Sequence, residues 1–215
     1  MGEEVEKMVT PKKPRICRAI PLLIAVCLVS FPAQAKYSGG IGEPNDPYQI
    51  ATAADLILLG DSPGDYDKHF VLTADINLRF FGTFTKAVIA HGGAIFTGCF
   101  DGKYHTISNL TIDTVGTDNE DLGLFGNSAG EIRNVRVENI NLDGGDESYS
   151  LGGLVGQNSG TICNCCSTGI IAGGAESEGL GGLVGEGEGR IAQCYSDCVV
   201  RVARNKKSYD LGGLV

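Results

Sequence analysis

The sequence predicts an all-β chain folded as a β-solenoid, with short parallel strands stacked coil upon coil and one short helix near the start. Three observations predict it. A Leu-(Phe/Val)-Gly motif recurs at Leu124, Leu154 and Leu183 and starts again at Leu214-Val215, so successive leucines are separated by 30, 29 and 31 residues. The segments between them, such as TICNCCSTGIIA at 161–172, carry β-branched and small residues with no helical period. The length differences fall in polar stretches, DGGDESYS, AGGAESEG and ARNKKSYD, where loops absorb insertions.

A period of about 30 residues suffices for one coil of three short strands and their corners, at ~3.3 Å per residue. Coils stacked ~4.8 Å apart set equivalent side chains above one another. Gly130, Gly160 and Gly189 form one such column, Ile132, Ile162 and Ile191 a second, and Val135, Cys165 and Cys194 a third. The Leu, Ile, Val and Cys columns are predicted to face inward. Ile162 and Cys165 break two-residue parity, which requires a bend or bulge between them. Glycine supplies 32 of 215 residues, roughly twice the ordinary ~7%, and is predicted at corners with positive φ. Seven prolines and no glycine at every third position exclude collagen, and a propeller blade needs ~40–50 residues.

Taken in order, residues 1–35 read as a secretory signal. Lys12, Lys13, Arg15 and Arg18 flank the apolar run AIPLLIAVCLVSF, which is short for a bilayer span, and Ala33-Gln34-Ala35 predicts cleavage after Ala35. Glu3, Glu4 and Glu6 are unusual there, and initiation at Met8 would remove them. An uncleaved anchor fits the cleavage pattern less well, and Val26 before Cys27 disfavours lipid attachment. Residues 36–95 read as an N-terminal capping module. Within it Thr52-x-x-Asp55 has the capping-box form before Leu56, Ile57, Leu58 and Leu59, so a short helix is predicted to cover the solenoid end, stopping at Gly60. Residues 96–215 read as the solenoid, with units at about 122–150, 151–179 and 180–210 and a partial one at 211–215; ending inside the motif, the solenoid is expected to be C-terminally truncated.

Two of these units, LGGLVGQNSGTICNCCSTG and LGGLVGEGEGRIAQCYSD, resemble GLUG repeats, which in bacterial exported proteins have the form GGLVGxNxGxIxNCYSTG. FTGCFDGKYHTISNLTI at 96–112 is similar to the FxGxFDGxxHTIxNLTI stretch that often precedes them in pectin-lyase-like β-helices. YSGGIGEPNDPYQIATAADLILL (37–59) and FVLTADINL (70–78) resemble the opening module of the same proteins. The resemblance implies a right-handed parallel β-helix. It implies no single activity, because that fold hosts adhesins, structural modules and polysaccharide-degrading enzymes, and such repeats can flank peptidases. The first unit departs from the pattern: LGLFG lacks one glycine, and Arg136 and Glu138 stand where CYSTG-like residues would be, which leaves its turn geometry open.

Charge narrows the functional classes. Residues 1–35 hold five basic and three acidic residues, so the remainder carries 12 basic and 23 acidic ones and a net charge of −11. That disfavours nucleic acid; Arg201, Arg204, Lys206 and Lys207 are the one basic cluster and read as a solvated face. Tryptophan is absent and aromatics are 7%, so extended stacking platforms are not expected.

Six cysteines follow the leader: Cys99, Cys163, Cys165, Cys166, Cys194 and Cys198. Cys165 and Cys194 share an inward column, where side-by-side Cβ vectors strain a disulfide, so buried thiols are the first reading. A disulfide through Cys163, Cys166 or Cys198 is the second. Zinc is the third, the spacings lacking the usual two-residue gap. Asp118, Glu120 and Asp121, then Asp146 and Glu147, then Glu176 and Glu178 precede successive leucines and could stack as a carboxylate ridge able to take calcium, interrupted by Lys206 and Lys207. A solvated loop edge is the plainer account. Asp101 and His105 could be proposed as an acid–base pair, but Asp101-Gly102 reads as a tight turn. His69 and His91 have no ligand-spaced neighbours. No catalytic, cofactor-binding or metal residues are therefore assigned.

The expected function is an exported, secreted or cell-surface solenoid serving as a non-catalytic, adhesin-like binding scaffold for glycans or surface proteins, with no membrane span after cleavage. The alternative is the N-terminal part of a pectin-lyase-like polysaccharide lyase or hydrolase with its active site beyond Val215.

Overall fold

The structure, a computed structural model, describes residues 36–116, 120–202 and 209–215. Residues 1–35, where the secretory signal is predicted, and Asp118, Arg204, Lys206 and Lys207 lie outside the described residues. The first strand, β1 (Tyr48–Ile50), leads into α1 (Ala53–Gly60), followed by β2 (His69–Leu72) and β3 (Ile76–Asn77). Then come β4 (Cys99–Asp101), β5 (Thr106–Ser108) and β6 (Thr111–Asp113). Three coils follow: β7 (Glu120–Leu122), β8 (Phe125–Ser128), β9 (Glu131–Arg133) and β10 (Arg136–Asp143); β11 (Tyr149–Gly152), β12 (Val155–Asn158), β13 (Thr161–Cys163) and β14 (Cys166–Gly173); β15 (Glu178–Gly181), β16 (Val184–Gly187), β17 (Arg190–Ala192) and β18 (Tyr195–Val202). The last strand is β19 (Tyr209–Gly212).

All strand pairs are parallel, and they stack as a β-solenoid of about five turns. One sheet runs β1-β2-β4-β9-β13-β17, a second β3-β5-β10-β14-β18 with β6 also on β10, a third β7-β11-β15-β19 and a fourth β8-β12-β16. The expectation of three strands per coil is corrected to four. The wider stretch Leu151-Gly152-Gly153-Leu154-Val155-Gly156 does not lie on one strand: Gly153 and Leu154 form a corner between β11 and β12, and Gly182 and Leu183 repeat it between β15 and β16.

The inward columns hold. Phe100, Ile132 and Ile162 lie in register and are fully buried, as are Leu122, Leu151 and Leu180, and Phe125, Val155 and Val184. The bend required between Ile162 and Cys165 falls at Asn164, which separates β13 from β14 with φ 54°.

The role predicted for glycine holds at some corners and is corrected at the leucine motif. Gly123, Gly126, Gly152, Gly153, Gly156, Gly181, Gly182 and Gly185 all have φ outside the left-handed region. They are small because backbone meets backbone. A Cβ on Gly156 would lie 2.5 Å from the Asp121 carbonyl carbon of the preceding coil, and one on Gly153 would lie 2.6 Å from Gly182 O of the next. Ten other described glycines, Gly145, Gly169, Gly179 and Gly187 among them, do take positive φ, and asparagine and acidic residues share that conformation: Asn134 and Asn164 at one corner, Asn109 and Asn139 at another, Glu147 and Glu176 at a third. Stacking gives asparagine a reward that glycine lacks. Asn164 Nδ2 donates to Asn134 Oδ1 at 3.2 Å, and Asn134 Nδ2 donates to Asp101 Oδ1 at 2.9 Å.

Two further details explain the repeat. Ser167 is buried and its hydroxyl donates to Gly182 O at 2.8 Å, tying one coil to the Gly-Gly corner of the next. The first unit, with Val137 opposite Ser167, absorbs one extra residue as a bulge between Val137 and Ile140, which answers its open turn geometry.

At the β1 end, Thr52 Oγ1 accepts from Asp55 N–H at 3.1 Å while the Asp55 carboxylate accepts from Thr52 N–H at 3.0 Å, completing the predicted capping box. α1 buries Leu56 and Leu59 in the core. The helix stops at Gly60 as predicted, with Asp61 as the C-cap, and the glycine is needed there for space: a Cβ on it would overlap Val88 O. The Tyr66 hydroxyl donates to Gly60 O (2.8 Å) and accepts from Ala90 N–H (2.9 Å), fixing that close approach.

Candidate functional site

The repeat corners create the main surface relief. Each strand of the β7-β11-β15-β19 sheet contains a left-handed residue, Asp121, Ser150, Gly179 or Asp210, just before its inward leucine. Beside this line the strand after the motif presents Asn127, Gln157 and Glu186 in one outward column. Asn127 Nδ2 donates to Gln157 Oε1 at 2.8 Å, and the Ser150 hydroxyl donates to Glu186 Oε2 at 3.0 Å.

Two cavities of about 410 Å³ each share Glu186 and Gly187 and so adjoin as one groove. One is lined by Tyr149, Glu178, Glu186, Asp210, Leu211 and Val215 with glycine backbone between them. The other is lined by Ile95, Asn127, Gln157, Asn158, Ser159, Glu186 and Glu188 with Gly187. Amides and carboxylates offer directional partners for hydroxyl groups, and the half-exposed Tyr149 ring offers an apolar face with a polar tip. Composition did not single out this column. The signal was present as the residue immediately after each Leu-(Phe/Val)-Gly, but Asn, Gln and Glu at that position look like ordinary surface residues until the coils stack.

The structure places the earlier candidates elsewhere. Asp101 and His105 are not a pair. The Asp101 side chain accepts from Lys103 N–H (3.0 Å), Asn134 Nδ2 (2.9 Å) and Arg133 Nε (3.1 Å), whereas His105 Nδ1 lies 3.0 Å from Asp75 Oδ1. Burial alone would raise the Asp101 carboxyl, but those hydrogen bonds outweigh it and hold its pKa at about 2. Asp75 is lowered by the Thr106 N–H and by His105. Asp101 ends β4 and its side chain holds the turn that follows at Lys103 and Tyr104, so the tight turn predicted at Asp101-Gly102 lies just after it.

His69 is brought into register with Cys99, and Cys99 with Glu131, residues about 30 apart in the chain. Among the described residues no group of three His, Cys, Asp or Glu side chains is arranged to hold a metal ion. Of the predicted carboxylate ridge, Glu120 and Glu178 do share a column, but Tyr149 lies between them, so they are two coils, ~10 Å, apart. Asp146 Oδ1 accepts from Ala175 N–H at 2.6 Å and serves the turn.

All six described cysteines are free thiols. Cys165 donates to Cys163 O at 3.2 Å and Cys194 to Ala192 O at 3.2 Å, while Cys165 N–H points at Cys194 Sγ at 3.3 Å. The Cys194 sulfur and burial together push the Cys165 thiol up, so it stays protonated. Burial likewise raises Cys99.

No protein-family model matches this chain. A curated relative, halomucin of Haloquadratum walsbyi, is 35% identical over 148 residues, covering 64% of this chain and 2% of halomucin. The chain thus spans about 2% of that relative's length. A crystal structure of a candidate immunoglobulin A1 protease from Bacteroides ovatus aligns over 82% of this chain and 86% of that one, with 14% identity and a TM-score of 0.38. Among the described residues no helix is long and apolar enough to cross a membrane.

Proposed function

We propose that the chain is an exported, cell-surface β-solenoid whose repeats are of the GLUG kind, and that it works as a binding scaffold holding glycans in the groove around Glu186. The groove carries the reading. Its hydroxyl-seeking groups recur at coil spacing beside an aromatic ring, on a frame whose backbone is locked by corner glycines and amide ladders. A rigid repeating surface suits multivalent weak contacts. The likeness to halomucin supports a cell-surface setting.

The test is a panel of neutral polysaccharides run against the whole chain by affinity electrophoresis. At least one should retard the protein, and Gln157→Ala and Tyr149→Ala should each weaken that retardation several-fold with an unchanged melt. Retardation by none of them overturns the reading. Export is tested separately: expressed with residues 1–35, the protein should be recovered outside the cytoplasm beginning at Lys36, and full-length cytoplasmic retention is the contrary result.

The presence of Glu178 and Glu186 in one cavity favours a second reading, a glycan-cleaving solenoid, since such enzymes work with two carboxylates flanking the bond. Release of reducing ends or unsaturated sugars from the same panel, abolished by Glu186→Gln, would replace the scaffold reading with that one.

A further inference from the structure

A second depression, of about 300 Å³, lies on the outer face of the sheet that carries β3, β5, β6 and β10, and is lined by Arg79, Asn109, Thr111, Asn139 and Asn141. No carboxylate lines it, although the chain carries a formal net charge of −9. Its basic group is held at the backbone. A turn from Leu78 to Phe81, closed by Phe81 N–H to Leu78 O at 3.0 Å, sets Arg79 and Phe80 side by side at its tip, and Arg79 N–H donates to Asn77 Oδ1 at 2.9 Å. Among the described residues the Arg79 guanidinium has no ion-pair partner within 4.0 Å.

The amides are oriented as well. Asn139 Nδ2 donates to Asn109 Oδ1 at 2.6 Å and Asn109 Nδ2 donates to Asn77 Oδ1 at 3.0 Å, so the relay runs from Asn139 to Asn77 and, among the described residues, leaves Asn139 Oδ1 at its head able to accept. Thr111 and Asn141 share an outward column, one above the other. Phe80, 88% exposed, follows Arg79 in the same turn and leaves a phenyl ring in water at the edge of this face.

We propose that this depression binds an anionic saccharide. The guanidinium takes a carboxylate or sulfate ester, for which its planar fork is suited. Asn139, Asn141 and Thr111 take ring hydroxyls, and Phe80 covers an apolar pyranose face. The subsite lies on a different sheet from the Glu186 groove and takes anionic instead of neutral saccharides, so it stands independently of the reading above.

The experiment measures binding of the whole chain, at low ionic strength, to hyaluronate (carboxylate only), dextran sulfate (sulfate only) and dextran (neither). At least one anionic polymer should bind tenfold or more tightly than dextran. Hyaluronate alone assigns a carboxylate and dextran sulfate alone a sulfate ester. Arg79→Gln should remove the preference, Arg79→Lys should keep part of it, and Asn141→Ala or Phe80→Ala should weaken it several-fold, all with unchanged melts. Gln157→Ala, in the groove, should leave it intact. No preference for either anion, a preference that survives Arg79→Gln, or an equal loss in Gln157→Ala overturns the proposal.

Discussion

Near α1 the interior of the solenoid is filled by rings, whereas from β11 to β18 it is filled by aliphatic side chains, thiols and hydroxyls, with backbone packed on backbone at the corners. Tyr37, Tyr48, Phe70, Phe96, Phe125 and Phe100 form a chain of rings with centroids 4.7–6.1 Å apart, running from the capping module into the first repeat. Beyond Phe125 the same column continues as Val155 and Val184. The two regions therefore fail differently. The aromatic end has little internal repetition and depends on volume, so it is sensitive to cavities. The repeated end depends on the absence of side chains at glycine, so it is sensitive to a single added methyl.

The largest expected effect is at the aromatic end. Phe96→Ala removes a fully buried ring that touches Phe70 and Phe125, and should cost about 3–5 kcal/mol by denaturant melt. A loss under about 1 kcal/mol would mean that this end collapses around cavities and the contrast fails. At the repeated end, Gly156→Ala should cost about 3 kcal/mol, the upper part of the overpacking range, because the obstruction is Asp121 and Leu122 backbone rather than a movable side chain. Gly64→Ala, with nothing within 4 Å of its Cβ, is the control and should stay within about 0.5 kcal/mol.

Asp101 sits at the junction and reaches forward to Arg133 and Asn134. With its folded pKa lowered from 3.8 to about 2, its contribution of about 2 kcal/mol is present above pH ~4 and is lost as pH falls toward 2. Asp101→Asn should lower stability at neutral pH and flatten the acid limb of the pH–melting curve; an unchanged acid limb would assign acid sensitivity elsewhere. The smallest effect apart from the Gly64 control is at the cap: Thr52→Ala should cost about 1 kcal/mol. A larger loss there would show that α1 nucleates the stack instead of merely covering its end.

Much of this was legible in the chain. Leucines 29–31 residues apart implied stacked coils, and stacking implied which side chains face inward. Thr52 and Asp55 announced the helix because capping is a contact within four residues. What was not legible depended on neighbours a full coil away. Asp101 and His105 are four residues apart and look like partners, yet register places Asp75 beside His105 and Arg133 beside Asp101. Gln157 and Glu186 look like scattered surface residues until parallel pairing sets them in one column.

The sequence by itself determined the period, the all-β class, the inward columns and the capped start, because each follows from local spacing and side-chain type. Only the tertiary structure decided how a coil turns, and hence where the groove and the Arg79 depression lie. Glycine has two distinct uses, positive φ and close approach, and a sequence cannot separate them. The choice depends on whether a neighbouring coil brings its carbonyl to within a Cβ radius. In the Leu-Gly-Gly-Leu corners of this solenoid it does, while two of the positive-φ corners go to asparagines whose amides bond along the stack.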